Sequence, residues 1–414
     1  MRILFLSQVL PYPLDAGPKM RSYYVLRRLV QKHEVTLLTF VRDTDRPEHI
    51  QHLAEFCPTV HTVPIHRGRV RDARFLGQSL LTHQPFLIIR DRNPAMIDKI
   101  HRLIDAESFD AIHADQLWMA QYALEVLQSA AHTPPKLVLD QHNAVHLIPK
   151  RLANDGANPI LRKFLDREAR LLMTYEADVC RRFDQVVWVT KEDRQAVASL
   201  YPPNDNGHLQ SPVIPICADP QRTEPVAQNP NRRRLTFLGG LHWPPNAQGI
   251  TWFAKNVFPQ IRAEIPDAVL TVIGKSPPAG IEGPGIELTG YVNHLRPYLS
   301  ETAVFIVPLH AGGGMRVKIL DAWSWGLPIV STSIGAEGIA IRPEQDILIA
   351  DTVPAFAQAV LRIMKDPALA QRIGQNGRRT VLEKYDWQKI YRAWDELYYR
   401  LDHSETIETQ AGII

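Results

Sequence analysis

Short runs rich in Val, Ile, Leu and Phe recur along the chain, and between them lie longer stretches whose apolar residues repeat at helical spacing. In the first half the runs predict strands at Arg2–Ser7, Glu34–Phe40, Thr59–Val63, Asp110–Ala114, Lys136–Asp140 and Gln185–Thr190. The intervening stretches predict helices at about 19–32, 46–56, 94–106, 116–130, 159–182 and 191–200. Alternating strands and helices need right-handed crossover connections, and these build a parallel α/β sheet.

The alternation stops at Tyr201-Pro202-Pro203-Asn204-Asp205-Asn206-Gly207, and Asp219–Asn231 is again rich in Pro and Asn, so a linker is expected, bounded at 211–232. After Arg232-Arg233-Arg234 the pattern restarts, with strands at Leu235–Leu238, Val269–Ile273, Ile286–Leu288, Val304–Val307 and Pro328–Ser331. Helices are expected at about 247–264, 293–299 and 316–325. Two successive units predict two Rossmann-like domains, 1–210 and 233–385, facing each other across a cleft where the carboxyl ends of the strands leave backbone groups for ligands. Within 386–414, the Trp- and Tyr-rich stretch Trp387–Leu401 predicts a helix that crosses back to the first domain, and Ser404–Ile414 reads as a frayed tail.

Composition narrows the functional classes. The chain has 414 residues, 45% hydrophobic and 22% charged, which is enough apolar material for two or three cores. Lys plus Arg number 47 against 44 Asp plus Glu, and a net charge of +3 excludes a dedicated nucleic-acid binder. Cys57, Cys180 and Cys217 are odd in number and lack Cys-x-x-Cys spacing, which argues against a disulfide scaffold or thiolate zinc site and for a reducing cytoplasm. The first apolar run is short and soon meets Pro11-Tyr12-Pro13, and no stretch approaches the ~20 apolar residues of a membrane span. A soluble or at most peripheral protein is expected.

Several common sites are missing from the sequence. Gln8–Pro18, after the first strand, holds one glycine, Gly17, where a dinucleotide fingerprint needs G-x-G-x-x-G. Gly274-Lys275-Ser276 ends like a phosphate loop, but Val269 stands where its first glycine must be. His142 and His146 have metalloprotease spacing, yet Asn143 replaces the essential Glu, so no metal is expected. The most informative stretch is Val304–Thr332, where a buried strand ends in Gly312-Gly313-Gly314 and a helix begins at once. Free N–H groups at such a start suit a diphosphate, and Arg316 and Lys318 add positive charge there. Further along, Asp321 offers a carboxylate to two ribose hydroxyls. The plainer reading is a tight glycine turn with Lys318 paired to Asp321 at i, i+3.

This strand, loop and helix, with Gly326-Leu327-Pro328-Ile329-Val330, resembles the donor-binding segment of GT-B retaining glycosyltransferases, the family 4-like or group 1 enzymes that share two glutamates eight positions apart. Asp321, followed by Ala322, stands at the second glutamate and Gly313 at the first. Gly314-Met315-Arg316-Val317-Lys318 is similar to the Gly-x-Arg-x-Lys loop of a subset of the family. The resemblance covers nearly the whole chain. Phe237–Asn246 resembles the first strand and loop of the donor domain, but Gly239 and Gly240 are not followed by the Arg and Lys of most relatives, and Arg316 and Lys318 are expected to substitute. Gly274, Tyr291 and Val292 fall where the family packs the base, and Glu337 is expected to support the sugar or brace its loop.

In the first domain the resemblance implies that Gly17 lets the backbone approach donor and acceptor, and that His142, in Asp140-Gln141-His142-Asn143, reaches the transferred sugar. A histidine at such a strand end is expected to be exposed toward the cleft. Arg67, Arg69, Arg71 and Arg74, with Arg90 and Arg92 nearby, form the one strong charge asymmetry, either a solvated face or a patch for an acceptor or anionic lipid headgroups. The resemblance implies a cytoplasmic, possible peripheral-membrane enzyme of cell-envelope polysaccharide assembly. It would move a hexose from a nucleotide-diphosphate sugar to a hydroxyl acceptor (glycan, glycolipid or lipid-linked) with retention, using His142, Arg316 and Lys318 and no cofactor. A nucleotide-sugar 2-epimerase and a non-catalytic nucleotide-sugar-binding subunit are the alternatives.

Overall fold

The computed structural model describes residues 1–129, 134–154, 158–201, 211–227 and 232–411. Pro202–Gly207 and residues 228–231, both within the expected linker stretches, lie outside the described residues. The chain divides into two compact units. One comprises Met1–Ala153, Asn158–Pro215 and Lys389–Ile414, and the other Asn154–Ala157 and Ile216–Gln388.

The first unit carries β1 (Arg2–Ser7), β2 (Glu34–Val41), β3 (Thr59–Pro64), β4 (Ala111–Asp115), β5 (Lys136–Gln141) and β6 (Gln185–Trp188). They form one parallel sheet in the order β3-β2-β1-β4-β5-β6. Ile3, Leu4, Phe5 and Leu6 are all fully buried. A strand covered on both faces by crossover helices reads as a continuous apolar run rather than an alternating one. The second unit repeats the plan with β7 (Arg234–Leu238), β8 (Val269–Ile273), β9 (Ile286–Gly290), β10 (Thr302–Val307), β11 (Ile329–Ser331) and β12 (Leu348–Ile349). Their order is β12-β11-β10-β7-β8-β9. Each sheet therefore reverses direction once, between β1 and β4 and between β7 and β10. Such a switch point opens a crevice at the carboxyl ends of the strands.

Every expected strand is present, with ends that move by one or two residues. Several elements depart from expectation for physical reasons. Arg69–Thr82 is a helix although it carries Arg69, Arg71 and Arg74, because its inner face is narrow and buries only Ser79 fully. The expected helix at 247–264 becomes Pro244–Trp252, a π turn at Phe253–Val257, and Phe258–Glu264. Pro259 has no N–H to donate into an α-helical ladder, so the turn before it widens. Phe86–Ile89, Leu147–Asn154, Val353–Lys365 and Pro367–Lys384 are further helices that the strand-centred pattern does not reveal.

The last helix runs Arg392–Ala411, and residues 412–414 of the expected frayed tail lie outside the described residues. Within the first unit this helix buries Trp394 and Tyr398. Tyr398 Oη lies 2.9 Å from Nδ1 of His113 on β4.

Candidate active site

At the switch point of the second sheet, the loops after β7, β8 and β10 converge. Gly239 N–H donates to Ile273 O at 3.0 Å, and a Cβ on Gly274 would lie 1.9 Å from Gly239 O, so the two loops touch backbone to backbone. A Cβ on Gly239 would lie 2.7 Å from Lys318 Nζ. Gly239, Gly274 and Lys318 are thus brought together, with Gly240 alongside. Asn246, which sequence reasoning left without a role, ties them: its Nδ2 donates to Gly240 O at 2.9 Å and its Oδ1 accepts Lys318 Nζ at 2.9 Å. The ammonium also sits 4.3 Å from the Phe237 ring centroid.

Lys318 and Asp321 project from the first turns of the helix Val317–Ser324. No ion pair joins them among the described residues; Lys318 turns to Asn246 instead. Burial, helped by the nearby Arg316 charge and opposed by Asp321, pushes the Lys318 ammonium down to about 7. Burial also pushes the Asp321 carboxyl up to about 7. A cation and an anion held half-buried without full compensation are poised to gain from a ligand of complementary charge.

Arg316, expected to add positive charge for the diphosphate, is only 7% exposed, and its guanidinium turns back into the loop. Nη1 donates to Gly313 O at 2.6 Å and to Gly314 O, while Nη2 donates to Ile334 O at 3.2 Å and lies 3.7 Å from Glu337. Arg316 and Glu337 therefore brace the loop of Gly313, Gly314 and Met315. Tyr291 is exposed beyond β9 over Lys275, 4.6 Å from ring centroid to Nζ, with Val292 half-buried beside it in sequence.

The first sheet has its own polar cluster at its switch point. Asp115 ends β4, and its Oδ2 accepts Ser7 Oγ from β1 at 2.9 Å and Ser22 Oγ at 2.7 Å. Its Oδ1 lies 2.8 Å from His142 Nε2. Asp140, on β5, receives Arg21 Nε at 2.9 Å and Nη2 at 2.8 Å. His142 is 6% exposed, which corrects the expectation of an exposed histidine: two carboxylates draw the ring inward. Burial lowers its pKa, but Asp115 and Asp140 outweigh that and raise it to about 9, so the ring is an imidazolium at neutral pH. For Asp140, burial raises the pKa, yet Arg21 and His142 overcome it and hold the group below the usual carboxylate range.

Asp115, Asp140 and His142 each bring one possible metal-ligand atom within 4.8 Å of the others. Arg21 and His142 already supply the positive charge there. His146 faces away from this group, its Nδ1 2.6 Å from Glu176. Gly17 opens the helix Gly17–Leu29, ahead of Pro18.

Gln116, immediately after Asp115, was not singled out from sequence. It adopts φ +75°, a left-handed conformation that costs an L-residue about 1–2 kcal/mol, and it is 4% exposed. Arg67 and Arg71 are anchored rather than free: Arg67 Nη2 lies 2.8 Å from the buried Asp91, and Arg71 Nη1 donates to His66 O at 2.6 Å. Arg69 and Arg74 remain exposed on their helix, which also exposes Val70, Leu80 and Leu81. Arg92 pairs with Glu125 at 3.4 Å, and Arg90 lies over the Phe86 ring. Among the described residues no helix is long and apolar enough to cross a membrane.

The pattern described as "Glycosyl transferases group 1" matches residues 232–366, the segment containing the second switch point. Over 406 residues, 94% of this chain and 98% of the relative, the chain is 24% identical to an uncharacterized 44.6 kDa protein in the cps region of Klebsiella pneumoniae. It is 25% identical over 119 residues, 28% of this chain and 31% of the relative, to the capsular polysaccharide biosynthesis glycosyltransferase CapM of Staphylococcus aureus. Its fold matches sucrose-phosphate synthase of Thermosynechococcus elongatus, with TM-score 0.71 and 16% identity over 98% of this chain and all of that one. It also matches Anabaena HepE, solved with UDP-glucose, with TM-score 0.66 and 13% identity over 96% and 99% of the two chains. The fold is of the GT-B type, with two parallel six-stranded sheets, and residues 232–366 match the glycosyl transferases group 1 family.

Proposed function

We propose that this glycosyltransferase takes a hexose from a nucleotide-diphosphate sugar and attaches it, with retention, to a hydroxyl of a cell-envelope saccharide or its lipid-linked precursor. The observation that carries this reading is the second switch point, where Gly239, packed backbone to backbone on Gly274, lies against Lys318, and Asp321 has no ion pair among the described residues. HepE, solved with UDP-glucose, and CapM, a capsular polysaccharide biosynthesis glycosyltransferase, support the donor and acceptor classes. They also favour transfer over epimerisation.

In this reading Lys318 and the N–H groups at the start of Val317–Ser324 neutralise charge building on the departing diphosphate. Asp321 accepts two ribose hydroxyls. Arg316 and Glu337 hold Gly313, Gly314 and Met315 in shape, and Tyr291 and Val292 flank the base. His142, kept as an imidazolium, donates to the transferred sugar, and Gly17 leaves the backbone room near it. The acceptor oxygen attacks the anomeric carbon on the face the diphosphate leaves, and a leaving phosphate oxygen takes the acceptor's proton. No metal enters this sequence. NMR of the product should show the anomeric configuration of the donor; an inverted product would refute the front-face step.

Exposed Arg69 and Arg74, on the same helix as the exposed Val70, Leu80 and Leu81, suit anionic lipid headgroups with added apolar contact. Binding to vesicles containing phosphatidylglycerol should weaken with salt and fall several-fold in the Arg69→Ala, Arg74→Ala double variant. Unchanged sedimentation with vesicles would remove the membrane from this account.

A further inference from the structure

On the residues that directly follow β4 and β5, three buried polar atoms have no partner among the described residues: Gln116 Nε2, His142 Nδ1 and Asn143 Oδ1. They follow the carboxyl ends of β4 and β5, adjoining strands that pair Asp115 with Asp140. Gln116 N–H donates to Asp140 O at 2.9 Å, which fastens its backbone to β5. The Nε2 of His142 is taken by Asp115, so Nδ1–H is the donor left over. Buried polar atoms are ordinarily satisfied, and three orphans at one end of two adjoining strands, next to a left-handed non-glycine residue, mark a place shaped for a ligand rather than for stability.

Two donors and one acceptor match the hydroxyls of a sugar, each of which both donates and accepts. We propose that Gln116 is a specificity-determining residue, its amide nitrogen donating to a sugar hydroxyl in a subsite shared with His142 and Asn143. This inference rests on the glycosyltransferase reading and adds a residue and a ligand subsite to it. Tolerance of the left-handed conformation explains the choice of test: glycine adopts it without penalty, so Gln116→Gly removes the amide while leaving the backbone at ease. Gln116→Met keeps the length and removes the donor.

The sugar is that of the donor or that of the acceptor, and the experiment separates them. Native protein and both variants are compared on nucleotide sugars and their single-deoxy analogues, then on the acceptor and its deoxy analogues. Native protein should reject one deoxy compound by roughly 10- to 100-fold in kcat/KM, and both variants should lose that discrimination. The arm in which it is lost identifies the sugar. Affinity for the free nucleoside diphosphate should not change, and the Gln116→Gly thermal midpoint should equal or exceed the native one. Retained discrimination in both arms, with native turnover present, would overturn the role of Gln116 and leave the glycosyltransferase reading standing. Calorimetric binding of the same nucleotide sugars needs no turnover: equal affinities of native protein and variants for the parent and every deoxy compound, or no binding at all, would also overturn it.

Discussion

Replacing Lys318 with Met should lower turnover by about 10²–10³ without lowering the thermal midpoint. The two readouts separate because the ammonium is costly in the free protein. It is held down to about 7 by burial and the Arg316 charge, with one neutral acceptor, Asn246 Oδ1, at 2.9 Å. A thioether of similar length fills the space over Phe237 with no charge to desolvate. An anionic diphosphate reverses that balance by favouring the protonated amine. Nucleoside diphosphate binding at pH 8 should therefore take up close to one proton in the native protein and almost none in Lys318→Met. Calorimetry in buffers of different ionisation enthalpy measures this uptake. Asp321, pushed up to about 7, is mostly ionised at pH 8 and adds little to the difference. A Lys318→Met enzyme with near-native turnover, or native binding with no proton uptake, would show that the diphosphate lies elsewhere.

Arg21→Ala is expected to cost about 3–5 kcal/mol of stability. Arg21 is fully buried. It donates twice to Asp140, to Pro215 O at 2.8 Å and to Ile214 O, and it lies 5.2 Å from the Trp394 ring centroid. Truncation strands the Asp140 carboxylate in the interior with only His142, 3.7 Å away, as a counter-charge. It also releases two backbone carbonyls and a cation–π contact with the last helix. Urea denaturation should show the loss. Pairing Arg21→Met with Asp140→Asn should recover part of it, since that removes both charges. A loss below about 1 kcal/mol for Arg21→Ala would mean that this network contributes little to the first unit.

The strands are legible in the sequence because both faces of each parallel sheet are covered, so runs such as Ile3–Leu6 and Val304–Val307 stand out without alternation. Helices that bury little escape the same reading: Arg69–Thr82 looks like a charge run because most of its surface meets solvent. The donor-side residues are legible for a related reason. Gly239, Gly274, Lys318 and Asp321 lie at strand ends or on a helix that starts at once, and the topology alone gathers them.

Side-chain direction is what a linear pattern does not carry. Nothing in Gly314-Met315-Arg316 says that the guanidinium folds back onto Gly313 O and Ile334 O. Nothing in Asp140-Gln141-His142 says that Asp115, 27 positions earlier, takes the imidazole. A signal did exist for the latter: Asp115 and Asp140 are carboxylates ending adjacent apolar runs, and buried charge at a strand's carboxyl end needs a partner.

Transfer of a sugar from a nucleotide-diphosphate donor is tested most directly by incubating the purified chain with a panel of nucleotide sugars and hydroxyl acceptors and following products by mass. The prediction is release of nucleoside diphosphate matched by an acceptor heavier by one anhydrohexose, with both lost in Lys318→Met. Epimerised donor with no heavier acceptor, or bound donor recovered unchanged across the whole panel, would contradict it.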